Sequence, residues 1–566
     1  MTRRTRALAV LFLAATSAAS AEPSPSGPGS AVAWERIEAF VRGRIAAEKI
    51  PGLGLAVADA AGRTSIRYFG VVDLKTGRAV GPETLFQIGS LSKAFTAALV
   101  LRLAESGRVD LESPVARVLP WFQPPAGVRP PTLHQLLTHT ASLPGDRDDI
   151  PSPLPLSLSV RERRALPGGS AGFHYSNIGY QLLGLVVEAA AHGTYAGILR
   201  SEILQPLGMN ATSGTITASA REASATGFVP VWDDRPPHPR YPLVEAPWIE
   251  YDAADGSLLS TPADMGRWLR MLLARGAAPS GRILSEKSFA RMVRPWVRVS
   301  PLDPGSYGYG FFVRTVGWWT FLRHTGGMLG FTSALTADLD RGIGVVVLTN
   351  VARADVRPTE IADFVLRTLL ADASGEALPD VPSEDRTRVP DAREYAGTFV
   401  SPSGDRIVLV PEGDRLFLVR SGERYPLEPR GEDRFWVDHP EFALYLLRFG
   451  RQNGRPVEAE YGPAWYVSET YEGPRSFDAP KEWSGYRGHY KAAHPWANNF
   501  RVFLRKGKLW MEMPGGEERH LVPLESGLFR IGEERQPETV RFDEVVAGWA
   551  QRAVVSGVAY YRFFTP

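Results

Sequence analysis

The chain has 566 residues, 44% of them hydrophobic and 22% charged, so it is too long for one ordinary domain and too apolar to be mainly disordered. Its 64 basic and 62 acidic side chains leave a formal charge of +2, which excludes the one-signed field that gathers nucleic acid or anionic lipid nonspecifically. There is no cysteine, which removes disulfides, thiol nucleophiles and thiolate metal sites together, and any nucleophile must be an oxygen or an amine.

Residues 1–21 read as a secretory signal: Arg3, Arg4 and Arg6 precede the short apolar run Ala7 to Ala15, and Ala19-Ser20-Ala21 offers small residues for cleavage. The apolar run is shorter than the ~20 residues of a spanning helix, and no later stretch could span a bilayer. An exported protein, periplasmic or secreted, is expected. Region 31–371 mixes helix and strand signals. Val32 to Ala47 is predicted helical, and Leu53 to Ala60 and Thr64 to Gly70 flank a tight turn as a hairpin would. A short strand approach, Thr84 to Gly89, runs into a helix predicted from Ser90 to Ser106. Residues 130 to 275 are predicted mostly helical, and Thr261-Pro262-Ala263-Asp264 is a good helix start because Thr caps, Pro tolerates the first turn and Asp suits the positive end. Strand patterns return at Tyr309 to Val316, Phe331 to Asp338 and Ile343 to Leu348, before a helix from Pro358 to Leu370. Such an order predicts one sheet completed by distant segments, with an all-helical subdomain between them.

Residues 372–392 carry Pro379, Pro382 and Pro390 without an apolar period and read as a linker. Beyond it short alternating strands dominate and the pattern repeats. Tyr395-Ala396-Gly397-Thr398-Phe399 matches Tyr486-Arg487-Gly488-His489-Tyr490 at an offset of 91 residues. Two related β modules, 393–475 and 483–566, are expected.

Three patterns carry chemistry. Ser90-Leu91-Ser92-Lys93 places a hydroxyl and an amine three apart at a helix start, on one face and within reach of each other. A lysine can take the serine proton there, and the helix N-terminus offers backbone donors to a developing oxyanion. Tyr175-Ser176-Asn177, after the Gly168-Gly169-Ser170 loop and before a helix, offers a phenol for proton transfer and an amide for substrate. His324-Thr325-Gly326-Gly327 is read as lying between strand segments, its glycines allowing close backbone approach to a ligand. Each pattern occurs once.

With these motifs the chain resembles the penicillin-recognising serine hydrolases, the family of serine β-lactamases, DD-peptidases, esterases and D-aminopeptidases. The likeness spans 31–371 and includes Thr132 to Thr140 and Ser260 to Asp264. It implies an α/β fold, a β-lactamase/transpeptidase-like antiparallel sheet flanked by helices with an all-helical subdomain, here followed by two small barrel-like, lipocalin-like β domains. It also implies Ser90 as acylated nucleophile, Lys93 as its proton acceptor and Tyr175 as proton shuttle to the leaving group. The backbone N–H groups of Ser90 and Gly327 would form the oxyanion hole, and Asn177 would hold the substrate's amide, with His324, Thr325 and Gly326 lining the substrate side. The commoner Lys-Thr-Gly is here His324-Thr325-Gly326, and a histidine is largely neutral near pH 7 where a lysine is a permanent cation. The expected activity is therefore an esterase or amidase on small or short-peptide substrates, a D-aminopeptidase in its specific form. A β-lactamase or DD-carboxypeptidase is the alternative. A non-catalytic penicillin-binding-like receptor is the alternative of another class, but Ser90, Lys93 and Tyr175 are all present, and degenerate members should lose one.

Other features are read as bland. Gly168-Gly169-Ser170-Ala171-Gly172 satisfies G-x-S-x-G but lacks the buried strand that a nucleophile elbow needs. His134 and His139 have no carboxylate at metal spacing and read as packed polar residues; no metal or cofactor is expected. Tyr307, Tyr309, Trp318 and Trp319 read as core aromatics. The sequence leaves open whether the β modules bind a ligand, cover the active site or hold two subunits together as a homodimer.

Overall fold

The computed structural model describes residues 27–124, 129–143, 152–162, 172–300, 305–496, 498–532 and 538–564. The predicted signal segment and residues 168–171 of the glycine loop lie outside them.

The first unit is built on an eight-stranded antiparallel sheet. Its order is Thr64–Gly70, Gly52–Asp59, Ile343–Thr349, Phe331–Asp338, Trp319–Met328, Phe312–Val316, Ser306–Tyr307 and Val297–Arg298. Strands from the two ends of the region meet at its centre, where Leu53 pairs with Thr349 and Asp59 with Ile343. These central strands are buried along their whole length because both faces are covered. Leu53, Leu55, Val57, Val345 and Val347 pack under helices Ala31–Glu48 and Pro358–Ser374, beside Ile37, Phe40, Ile361 and Phe364. Ala56, Ala58, Val346 and Leu348 face the larger core with Trp268 and Leu269 of helix Pro262–Leu273. Small residues on this second face let that helix sit close: a Cβ on Gly54 would lie 2.3 Å from Pro262, and one on Gly344 2.8 Å from Leu269. The helix starts as its sequence predicts, with the Thr261 hydroxyl accepting the Asp264 N–H.

Between the halves of the sheet lies the helical subdomain, with helices Leu133–Leu137, Asn177–Ala191 and Tyr195–Leu199. It is less helical than expected. Residues 208–260 are mostly loops with short strand pairs such as Phe228–Pro230 on Leu243–Glu245, since Gly, Pro, Ser and Thr there interrupt any apolar period. Among the described residues no single helix is long and apolar enough to cross a membrane. Tyr307 and Tyr309 are buried, but Trp318 stands 94% and Trp319 44% exposed at a hairpin tip, so the reading of all four aromatics as core is corrected for these two.

Two closed eight-stranded antiparallel barrels follow, Gly397–Val400 through Ala464–Val467 and Gly488–Lys491 through Val558–Phe563. The Tyr-x-Gly repeat explains itself. Tyr395 and Tyr486 each end a short 3-10 turn and pack on the barrel core, and Gly397 and Gly488 then take φ of +141° and +156°, which side chains disfavour. Both interiors are filled by apolar side chains, Phe399, Leu416, Leu418 and Leu427 in the first, Phe500, Leu509, Leu521 and Phe542 in the second.

Polar contacts join the units. His238 of the first unit stacks on Trp436 at 3.7 Å and its Nε2 lies 3.0 Å from the Glu428 carboxylate, both in the first barrel. Asp234 accepts from Arg501, and the Asp233 carboxylate from Asn498, of the second barrel at 3.0 and 2.8 Å. Arg505 of the second barrel donates to the Gly462 carbonyl of the first and pairs with Glu460 at 3.0 Å. Beside this last joint Glu512 is buried, and burial together with neighbouring Glu518 pushes its carboxyl up to about 8 against the pull of Arg448, Arg505 and Arg501. A carboxyl raised in the folded state is neutral there while the unfolded chain ionises from about pH 4.5, so stability falls as pH rises from about 5 towards 8. Glu512→Gln is expected to flatten that slope and raise the unfolding midpoint at pH 8 relative to wild type; thermal unfolding at pH 5 and pH 8 checks it, and an unchanged difference between the two pH values would contradict it.

Candidate active site

The strand Phe86–Gln87 leads into a 3-10 turn, Gly89–Leu91, and then helix Ser92–Glu105. Ser90 therefore sits in the turn and not on the α-helix, half-buried, with Gly89 before it at φ +54°. Lys93 lies in the first helical turn and is fully buried. Its Nζ donates to three oxygens: Ser90 Oγ at 3.0 Å, Asn177 Oδ1 at 2.7 Å and the Asp255 carbonyl at 2.9 Å. Those three acceptors match the three donors of an ammonium group. Asn177 opens helix Asn177–Ala191, and its side-chain oxygen is taken by Lys93.

Tyr175 precedes that helix outside any helix or strand, and the Lys93 Nζ stands 4.9 Å from the centre of its ring. The His324 ring lies 6.2 Å from it, centre to centre. His324 is on the ten-residue strand Trp319–Met328, not between strands, and the strand runs on through the paired glycines, Gly326 pairing with Ser333 and Gly327 with Thr332 in unbroken register. Side chains alternate along it, His324 and Gly326 buried, Thr325 and Gly327 exposed. The His324 Nδ1–H donates to the Thr325 carbonyl at 2.6 Å, which leaves Nε2 to accept the Tyr307 hydroxyl at 3.2 Å. Burial, then the Lys93 charge, push its pKa down to about 3 against the Thr325 bond, so the imidazole is neutral at physiological pH.

Glycine at 326 is a steric requirement. A Cβ there would lie 1.9 Å from the Ile88 carbonyl oxygen and 2.4 Å from Ser333 Oγ, so only a bare backbone lets this strand lie against the serine turn. The next residue closes the contact, since a Cβ on Gly89 would meet the Gly327 nitrogen at 2.7 Å. On its own Cβ side Gly327 meets nothing within 4 Å.

Ser90, Lys93, Asn177, Tyr175 and His324 thus come together in one place, with Gly326 against the serine turn, whereas the Thr325 side chain is exposed. Three participants were missed. Asp255 contributes through its backbone carbonyl, which leaves no trace in residue type; Tyr307 looked like core; His139 looked like a packed histidine, and it is buried, but against Tyr175, with ring centres 4.4 Å apart. The second barrel also reaches this region: Glu538 lies 3.0 Å from Nε2 of His174, the neighbour of Tyr175. Trp496, also from the second barrel, packs on the core of the first unit.

A family model for Beta-lactamase matches residues 37–369. The chain belongs to this family, the penicillin-recognising serine hydrolases, and carries its serine hydrolase fold. Among curated relatives, Penicillin-binding protein 4 of Amycolatopsis lactamdurans is 29% identical over 382 residues, covering 63% of this chain and 94% of that protein. Penicillin-binding protein 4* of Bacillus subtilis (strain 168) is 26% identical over 362 residues, covering 59% and 76%. The octameric penicillin-binding protein homologue from Pyrococcus abyssi shares the fold with a TM-score of 0.57 at 23% identity, over 77% of this chain and all of that one. The D-amino acid amidase from Ochrobactrum anthropi SV3, solved with L-phenylalanine amide, shares it with a TM-score of 0.52 at 24% identity, over 61% and 99%.

The two glycines provide a test of the close approach. Gly326→Ala is expected to push the strand off the serine turn and slow labelling by a fluorophosphonate probe at least about ten-fold, as small displacements of reacting groups do. Gly327→Ala, with open space for its methyl group, should slow it less; the opposite order would mean that strand proximity does not govern the serine.

Proposed function

We propose that the protein is an exported hydrolase that cleaves esters or amides lacking a carboxylate near the scissile bond, D-amino-acyl substrates among them, through an acyl-enzyme on Ser90. The observation that carries this reading is the buried Lys93 amine 3.0 Å from Ser90 Oγ, held there by Asn177 and the Asp255 carbonyl. In the reacting form the amine takes the Ser90 proton as Oγ attacks the substrate carbonyl. The developing oxyanion is received by the N–H groups of Ser90 and Gly327, which the absence of side chains at 326 and 327 leaves accessible. Tyr175, beside Lys93, gives its proton to the departing alcohol or amine and is reprotonated by the Lys93 ammonium; water then attacks the acyl-enzyme carbonyl as Lys93 takes its proton, and that proton passes to Ser90 Oγ as the acid leaves.

Substrate choice follows from charge. His324 is buried and neutral, so the strand offers no fixed cation where a substrate carboxylate would seek one. Penicillins and C-terminal carboxylates lose a partner there, whereas neutral esters and D-amino-acyl amides lose nothing. The β-lactamase or DD-carboxypeptidase reading draws on the penicillin-binding proteins among the relatives. Export is supported by residues 1–21 of the sequence.

Intact-mass measurement after fluorophosphonate treatment should show one adduct on wild type and none on Ser90→Ala; equal labelling would remove Ser90 from its role. In one preparation, turnover of a chromogenic ester or a D-alanyl anilide should exceed that of nitrocefin, and the reverse order would favour the β-lactamase reading. His324→Lys should speed acylation by penicillins. No gain would assign selection to the shape of the pocket and not to this charge.

A further inference from the structure

Tyr175 can transfer a proton only if its loop holds the phenol in place, yet Phe173 to Ser176 form no helix or strand. The backbone on both sides of Tyr175 is bonded to a single residue. The His174 N–H donates to the His139 carbonyl at 2.8 Å, and the Ser176 N–H donates to His139 Nδ1 at 3.1 Å. Between these two bonds the His139 ring covers the Tyr175 ring, with centres 4.4 Å apart and planes 32° apart.

His139 is fitted for this by its backbone. It stands at φ +57°, just beyond helix Leu133–Leu137, and this left-handed turn presents its carbonyl and its imidazole to the same stretch of chain. The helix is itself fixed. Thr132 and Gln135 form a reciprocal cap at its start, and the Tyr180 hydroxyl donates to the Leu137 carbonyl at 2.9 Å near its end. The imidazole is 2% exposed, and burial followed by the nearby Lys93 charge holds its pKa well below the usual histidine value. Nδ1 therefore keeps the lone pair that the Ser176 N–H needs; a protonated ring would set donor against donor.

We propose that His139 is a positioning residue of this site, a two-point clamp whose carbonyl and Nδ1 fix the chain before and after Tyr175 and so aim its phenol at the leaving group. The proposal rests on the role given to Tyr175 above. It differs from simple packing in one consequence: losing the clamp harms proton delivery to the leaving group more than attack by Ser90.

Leaving-group dependence reads that difference. The p-nitrophenyl and methyl esters of one acyl group share the attack step, but p-nitrophenolate leaves without a proton and methoxide does not. Asn at 139 places its oxygen where Nδ1 stands and tolerates the left-handed backbone, whereas Gln extends its amide to the position of Nε2. H139Q is expected to lose on the order of 100-fold in kcat on the methyl ester. Its kcat on the p-nitrophenyl ester, its fluorophosphonate labelling rate and its KM values should change less than about three-fold. H139N should stay within about ten-fold of wild type on both esters. H139G, which keeps the carbonyl and the backbone turn but removes the ring, should show the same split as H139Q and serves where H139Q does not fold. An equal loss on both esters, no loss on either, or H139N no better than H139Q would overturn the clamp. Labelling of Ser90→Ala, or a wild type that hydrolyses neither ester, would instead overturn the hydrolase reading and the clamp with it.

Discussion

One buried amine organises this site. Removing an amine from water costs several kcal/mol unless its hydrogens find partners. Lys93 finds three, and they come from three separate parts of the chain: a 3-10 turn, the first residue of a helix and a backbone carbonyl 162 residues away. The serine turn, the Asn177 helix and the Asp255 loop must all be in place for the amine to be satisfied. Folding of the subdomain onto the sheet and assembly of the site are thus the same event, and the helix Pro262–Leu273, seated on a strip of glycine and alanine, helps to set their spacing.

The same amine sets the charge of its surroundings. His324 and His139 are both buried near it, and each is pushed towards its neutral form first by burial and then by the Lys93 charge. Neutrality serves each differently. His324 keeps the tautomer that bonds Thr325 and accepts from Tyr307, so position 324 carries no charge. His139 keeps an acceptor for Ser176. The family fold is retained while the charge at the substrate side of the strand is altered, and in the proposed function that alteration moves selection away from carboxylate-bearing substrates.

Much of this was legible in the sequence where a local rule applied. Ser90 and Lys93 are three apart on a helical path, so their meeting needs only helix geometry, although the turn at Ser90 proved 3-10 and not α. The barrels announced themselves through Tyr395-x-Gly397 and Tyr486-x-Gly488, because a glycine at positive φ after a packed tyrosine recurs with the architecture. The motif was placed between strand segments, whereas the strand runs through it; the need for glycine at 326 answers to the Ile88 carbonyl, a neighbour remote in sequence. Asp255, acting through its carbonyl, and Glu538, reaching from the second barrel to His174, had no local signature at all. Contacts between units are decided by tertiary packing, and no periodicity records them. The second barrel is accordingly tied into the first unit at His174, Asp233 and Asp234, and through His174 it borders the Tyr175 loop.

The central claim is that the amine of Lys93 activates the hydroxyl of Ser90. Lys93→Met keeps the length and apolar stem of the side chain and removes only the amine. The second-order rate of fluorophosphonate labelling at pH 7.5, measured beside a thermal unfolding curve for the same preparation, is predicted to fall by on the order of 1,000-fold while the protein remains folded. A folded Lys93→Met protein that labels at the wild-type rate would contradict the account.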